Sequence, residues 1–514
     1  MPSSTISQYF RITFATILLL ATLVADVFGY KLEAKIPLEQ LDLASIVTGT
    51  ALVPTSNLAA QRKRKKRSAK RNSRSSRGRN RSGNVRNASE KLEDKPEANL
   101  EAIAKAEPPK PKRGKVDIQL DIESEDGIFW DSAMVVNLIP QFDRHPGYDS
   151  VRVRLSVRSD SMSSRVHWDT SAIVEVGDEV KFRFKPREPG FFWLQSELYH
   201  KGKLLAYQLK KAGYQPQWFF PAFTPPADIK QFWLLAKLDL DVVSTEVKMK
   251  PGPRHRWPSM QVFSVSIPST DGVMLHGWLT MPKASGAHPV ILELPPYGNS
   301  MRPDLETRDM AVLRLDVRGH GRSRKPINPG FPGFMTYGLP NEEDYIYRGV
   351  VQDCLAAVRF LKSLQQIDAK RIGVMGVSQG GGLASMTACL DSSIKAMAVS
   401  VPFMCNWSRY FVTAPWPKRD FQAWVNEDPA NRKMEKVLNT LSYFDPANLA
   451  IGCKAKIFMA VGLQDMTCPP DGAFAWYNTM AQQKEVLVYK DGHHILPGVR
   501  GKMMSFMRQV LKGY

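Results

Sequence analysis

The chain has 514 residues, 43% of them hydrophobic and 10% aromatic, and carries a formal net charge of +20. That length exceeds one ordinary core and calls for two folded domains plus tails. The aromatic share excludes a chain that is disordered throughout.

Residues 1–29 read as a signal peptide. Arg11 gives a weakly positive start, and Ile12 to Ala25 is an almost uninterrupted apolar run. The run is short for a membrane span of roughly 20 residues and is followed by Asp26, Val27 and Gly29, with cleavage expected after Gly29. Export places the protein outside the cytoplasm, secreted or in the periplasm or cell envelope. An uncleaved anchor is the alternative. Residues 30–114 read as a disordered basic linker, rich first in Ser, Arg, Lys, Asn and Gly and then in Ala, Glu, Lys and Pro. Thirteen cations fall between Arg62 and Arg86 with no acid among them, which leaves +7 for the rest of the chain. The basicity therefore belongs to a tail. The Arg62–Arg86 tract is either a solvated linker or a tether to anionic surfaces. No folded motif supports specific nucleic-acid binding.

Residues 115–215 read as a small β-sandwich, immunoglobulin-like. Val116, Ile118, Leu120 and Ile122 alternate with polar residues, as do Val151, Val153, Leu155 and Val157, then Phe182 and Phe184. Gly177-Asp178 and Pro189-Gly190 mark turns.

From residue 217 to 514 the pattern becomes α/β. Apolar runs of strand length occur at Pro289–Leu294, Ala311–Asp316, Arg371–Gly376, Ala396–Val401, Lys456–Gly462 and Val486–Tyr489. Between the second and third, Val350, Val351, Cys354, Ala357, Val358 and Leu361 recur at helical spacing within Tyr345–Leu364. Alternating strands and helices predict a mostly parallel sheet with helices on both faces. The five cysteines, Cys354, Cys389, Cys405, Cys453 and Cys468, show no metal-ligand spacing and are expected to be buried and structural.

Gly376-Val377-Ser378-Gln379-Gly380 is a G-x-S-x-G pentapeptide that follows a strand and opens a helix. This is the setting of a nucleophile elbow, in an α/β-hydrolase fold. A serine at its ordinary pKa needs a base, and in this fold the acid and then the histidine follow the serine. Only His493 and His494 lie beyond Ser378. Asp465 follows the strand Lys456–Gly462. Its rivals are weaker: Asp491 is too near the histidines to come from a separate strand, and Asp471 lies beyond Pro469-Pro470. One oxyanion donor is expected from the backbone N–H of Gln379, the other from the loop Pro295-Pro296-Tyr297-Gly298. The alternatives are a hydrolase acting on another ester, a lactone or a peptide bond, and a non-catalytic surface-binding protein on a hydrolase scaffold.

From about Pro221 onward the sequence resembles the acetyl xylan esterase/cephalosporin C deacetylase family, carbohydrate esterase family seven. The resemblance is carried by Pro226-Ala227-Asp228, Phe232-Trp233, Thr270-Asp271-Gly272, Gly277-Trp278-Leu279, Gly376–Gly380, Val401-Pro402-Phe403, Leu441–Asp445 and, most specifically, Gly462-Leu463-Gln464-Asp465-Met466-Thr467-Cys468-Pro469-Pro470. It implies a serine esterase that deacetylates acetylated xylo-oligosaccharides or similar small esters. Implied too are the triad Ser378, Asp465 and His493, oxyanion donors on Tyr297 and Gln379, no metal or organic cofactor, and ring-shaped homo-oligomers. Three positions depart from the family pattern: His320 in Arg318-Gly319-His320, the doublet His493-His494, and Pro295-Pro296 before Tyr297. His320 is expected to be structural, with support of the catalytic residues as the lesser alternative.

Overall fold

The computed structural model describes residues 116–513, apart from 144–145, 162–164, 222–223 and the side chain of Ile451. The export signal, the basic linker and the Arg62–Arg86 tract lie outside the described residues. All described residues belong to the compact unit that begins at Leu92.

The first part is a small β-rich domain. Its strands are β1 (Val116–Ile122), β2 (Ile128–Phe129), β3 (Met134–Phe142), β4 (Ser150–Ser159), β5 (Val166–Glu175), β6 (Val180–Phe184), β7 (Gly190–His200) and β8 (Lys203–Tyr214). They form a three-stranded sheet, β1-β3-β6, and a five-stranded sheet, β2-β8-β7-β4-β5. Pairing is antiparallel except between β2 and β8. The two-residue alternation decides which sides meet. Ile118, Leu120 and Ile122 of one sheet and Val151, Val153, Leu155 and Val157 of the other are buried in a single cluster.

The second part begins with helix α1 (Ile229–Asp241) and is built on a nine-stranded sheet. Its strands are β9 (Lys248–Pro251), β10 (Met260–Pro268), β11 (Met274–Pro282), β12 (His288–Leu294), β13 (Ala311–Asp316), β14 (Ile367–Val377), β15 (Ile394–Ser400), β16 (Lys456–Gly462) and β17 (Lys484–Tyr489). The spatial order is β17-β16-β15-β14-β12-β13-β11-β10-β9. Strands β12 to β17 pair in parallel, and β9, β10 and β11 join in antiparallel fashion. The central strands are mostly apolar because helices cover the sheet, and Glu293 of β12 and Arg314 of β13 pair with each other. In α2 (Ile346–Ser363), Val350, Val351, Cys354, Ala357, Val358 and Leu361 are all fully buried. Helix α2 packs on β14 and on α3 (Gln379–Leu390).

Between β15 and β16 the chain forms α4 (Trp407–Thr413), α5 (Lys418–Glu427), α6 (Met434–Ser442) and α7 (Pro446–Leu449). Helix α8 (Pro470–Thr479) follows β16, and α9 (Val499–Lys512) closes the chain against β14, β15 and β16. This is an α/β-hydrolase-like mixed sheet with flanking helices. The parallel strands end at Leu294, Asp316, Val377, Ser400, Gly462 and Tyr489. Loops leaving that edge of an open α/β sheet carry the site.

Candidate active site

Ser378 is the single residue between β14 and α3. Its backbone sits at φ 56°, ψ −122°, a sparsely populated conformation that costs about 1–3 kcal/mol and is held by its surroundings. The Ser378 N–H donates to the carbonyl of Ser400 at 2.9 Å, and its own carbonyl accepts from Phe403 at 3.0 Å. The turn also needs glycine. A Cβ on Gly380 would stand 2.2 Å from the carbonyl oxygen of Leu294, so any side chain there would push α3 away from the end of β12. The first N–H groups of a helix lack intrahelical acceptors, which leaves that of Gln379, the first residue of α3, free to serve a developing anion.

Asp465 lies three residues past the end of β16 and is fully buried. Its Oδ1 accepts from the backbone N–H groups of Thr467 at 2.7 Å and Cys468 at 3.0 Å. Those two bonds curl the loop around the carboxylate and turn Oδ2 toward an imidazole. That imidazole belongs to His494, whose Nδ1 stands 2.9 Å from Oδ2. Burial alone lowers the pKa of His494. The Cys468 sulfur and the Asp465 carboxylate more than offset this, and the net direction is upward. A carboxylate on Nδ1 leaves Nε2 to face a substrate or nucleophile, the arrangement of a base oriented by an acid.

His493, the histidine expected from the sequence, does not make that contact. It is exposed, whereas His494 is the partner of Asp465. The two are adjacent after the turn that Gly492 closes onto Tyr489. One residue of register decides which imidazole turns inward, and the order of residues carries no signal for that choice.

Cys468 was expected to be structural, and it is buried, but its place is at the site. Its Sγ lies 3.8 Å from Ser378 Oγ. One ligating atom each of Asp465, Cys468 and His494 falls within 4.8 Å of the others. This is a spacing that could hold a metal, though Asp465 Oδ2 and His494 Nδ1 are already committed to each other. The three-residue step from Asp465 to Cys468, within the Asp465 turn, is the sequence signal for this placement.

The oxyanion candidates have a defined support. The side chain of Gln379 is fully buried, with Oε1 accepting from the hydroxyl of Tyr347 at 2.7 Å. Its Nε2 stands 3.1 Å from Nε2 of His320, whose Nδ1 is 3.2 Å from the Arg318 carbonyl. The two contacts are consistent when Nδ1–H donates to the carbonyl and Nε2 accepts from the amide. Burial, with a smaller effect from Arg324, holds the His320 pKa down at about 4. His320 is thus a neutral spacer under Gln379. The Arg318 beside it is buried in a two-point contact with Asp353 and also reaches Asp271. Tyr297 packs its ring against Phe331 at 4.7 Å and Trp416 at 5.7 Å between centroids.

A family model described as "Acetyl xylan esterase (AXE1)" matches residues 215–509. An acetyl esterase, Axe7A, of Xylanibacter ruminicola is 26% identical over 323 residues, covering 60% of this chain and 71% of that protein. The solved acetyl xylan esterase from Paenibacillus sp. R4 is 35% identical, with a TM-score of 0.52, covering 58% of this chain and 99% of its own. Acetyl xylan esterase 1 from Thermoanaerobacterium sp. JW/SL YS485 shares the fold at 24% identity and a TM-score of 0.50, covering 58% of this chain and 98% of its own. With the family model spanning more than half of the sequence, the chain belongs to the acetyl xylan esterase (AXE1) family of the α/β-hydrolase superfamily.

Proposed function

We propose that this protein is a serine esterase that removes acetyl groups from acetylated xylo-oligosaccharides or comparably small esters. Ser378 is the nucleophile, His494 the general base and Asp465 the acid that orients it. The observation that carries the reading is the Asp465–His494 hydrogen bond, grouped with Cys468, whose sulfur lies 3.8 Å from the hydroxyl of the strained Ser378.

His494 takes the Ser378 proton as Oγ attacks the ester carbonyl, and Asp465 stabilises the imidazolium. Backbone N–H groups of Gln379 and Tyr297 receive the oxyanion, and loss of one such donor costs about 3–4 kcal/mol of barrier. The imidazolium then protonates the departing alcohol, and water, activated by the same histidine, releases acetate.

Acetate release from acetylated xylo-oligosaccharides, set beside a 4-nitrophenyl ester series of increasing chain length, tests the substrate. The expected profile is highest on acetyl and falls steeply beyond propionyl. Preference for long acyl chains, lactones or peptides would assign another hydrolase activity. Hydrolysis undiminished in Ser378→Ala would remove the proposed nucleophile. The reading extends to an exported enzyme held at anionic surfaces by residues 62–86, and salt-dependent binding that is lost on deleting them tests that part.

A further inference from the structure

The β-rich domain lies almost wholly before the region that the family model covers, yet it grips both loops of the proposed base and acid. Gln464, next to Asp465, is buried and makes three side-chain hydrogen bonds. Its Oε1 accepts from the backbone N–H of Lys211 in β8 at 2.8 Å, while its Nε2 donates to the Lys211 carbonyl at 3.0 Å and to the Lys490 carbonyl at 2.8 Å. Every donor and the carbonyl of the amide are used. Sheet partner β2 reaches β8 only at Gly213 and Tyr214, so the amide takes the place of a neighbouring strand at Lys211. One side chain thus ties the acid loop to β8 and, in the same stroke, to the histidine loop.

The surrounding contacts agree. The Gln464 N–H donates to the Gly492 carbonyl at 2.8 Å. Gly462 lets that loop pass closely, since a Cβ there would stand 2.2 Å from the His493 carbonyl oxygen. Lys490 Nζ donates to the Ile122 carbonyl in β1 at 2.6 Å, and Lys210 pairs with Asp491 at 2.9 Å. Arg409 joins Asp471 of α8 to Asp160 at the end of β4, with both carboxylates buried.

We infer that Gln464 is a positioning residue and that the β-rich domain is a template holding the Asp465 and His494 loops in register. The inference rests on the triad proposed above. Misplacement of a reacting group by about 1 Å can cost about 10²-fold in rate, so a template of this kind affects turnover more than substrate binding.

The test uses the full chain and 4-nitrophenyl acetate. Gln464→Met keeps the volume and removes all three side-chain bonds. The expected result is a kcat at least tenfold lower with KM within twofold. The acid-limb midpoint of the pH profile should fall as the Asp465–His494 contact loosens. A folded Gln464→Met protein with unchanged kcat and pH midpoint overturns the inference. Lys490→Met, which cuts the tie to Ile122, decides by the same criteria if Gln464→Met fails to fold. Arg154→Ala, which breaks the Arg154–Asp169 pair elsewhere in the β-rich domain, should lower Tm without moving the midpoint. An inert parent protein would instead defeat the triad reading, which keeps the two failures apart.

Discussion

His494 Nδ1 stands 2.9 Å from Asp465 Oδ2, and His493, its immediate neighbour, is exposed. In a serine hydrolase the base is the imidazole that a carboxylate orients. His494→Ala should therefore lower kcat on 4-nitrophenyl acetate by about 10³-fold or more, whereas His493→Ala should stay within about threefold. The reverse ranking would return the base to His493.

The pH profile follows from the Cys468 sulfur and the Asp465 carboxylate together. The net effect of its surroundings is to raise the pKa of His494 above the ordinary histidine value of about 6.5. The neutral imidazole is the competent base, so kcat/KM should rise with pH through a midpoint above that value. Asp465→Asn removes the stabilising carboxylate. It should move the midpoint down while lowering kcat by several orders of magnitude, as loss of the orienting acid does elsewhere. A midpoint that stays put in Asp465→Asn would sever the link.

Gln379 gives a subtler prediction. Tyr347→Phe leaves the buried Oε1 of Gln379 without its 2.7 Å donor, a loss of about 1–3 kcal/mol in stability. Tm should fall, and kcat should fall about tenfold as the first turn of α3 shifts, with KM little changed. Full kcat retention would show that the Gln379 side chain does not hold its backbone N–H.

Cys468 supplies a steric test. A thiomethyl group added to a sulfur 3.8 Å from Ser378 Oγ occupies space that the acyl group needs. Methyl methanethiosulfonate should inactivate the protein, dithiothreitol should restore it, and Cys468→Ala should resist. Equal inactivation of Cys468→Ala would point to another thiol.

Much of this was legible in the residues. The six apolar runs from residue 289 to 489 became the parallel strands because strands covered on both faces leave no polar side to confuse the pattern. The positions of Ser378 and Asp465 just beyond β14 and β16 are readable because the strands end where the loops must begin. The antiparallel pair β10 and β11 is harder to read, since the segment Thr270-Asp271-Gly272 that joins the strands does not by itself mark a hairpin. The inward histidine was illegible because His493 and His494 differ by one residue of loop register. The Gln464–Lys211 contact spans 253 positions and uses backbone atoms on one side, so no side-chain pattern announces it.

The most direct test of the central claim is active-site labelling with diethyl 4-nitrophenyl phosphate, followed by intact mass and peptide mapping against residual acetyl-ester hydrolysis. The account predicts one phosphoryl adduct per chain, on Ser378, appearing in step with loss of activity and greatly slowed in His494→Ala. An adduct on another residue, or hydrolysis that survives full labelling of Ser378, would contradict it.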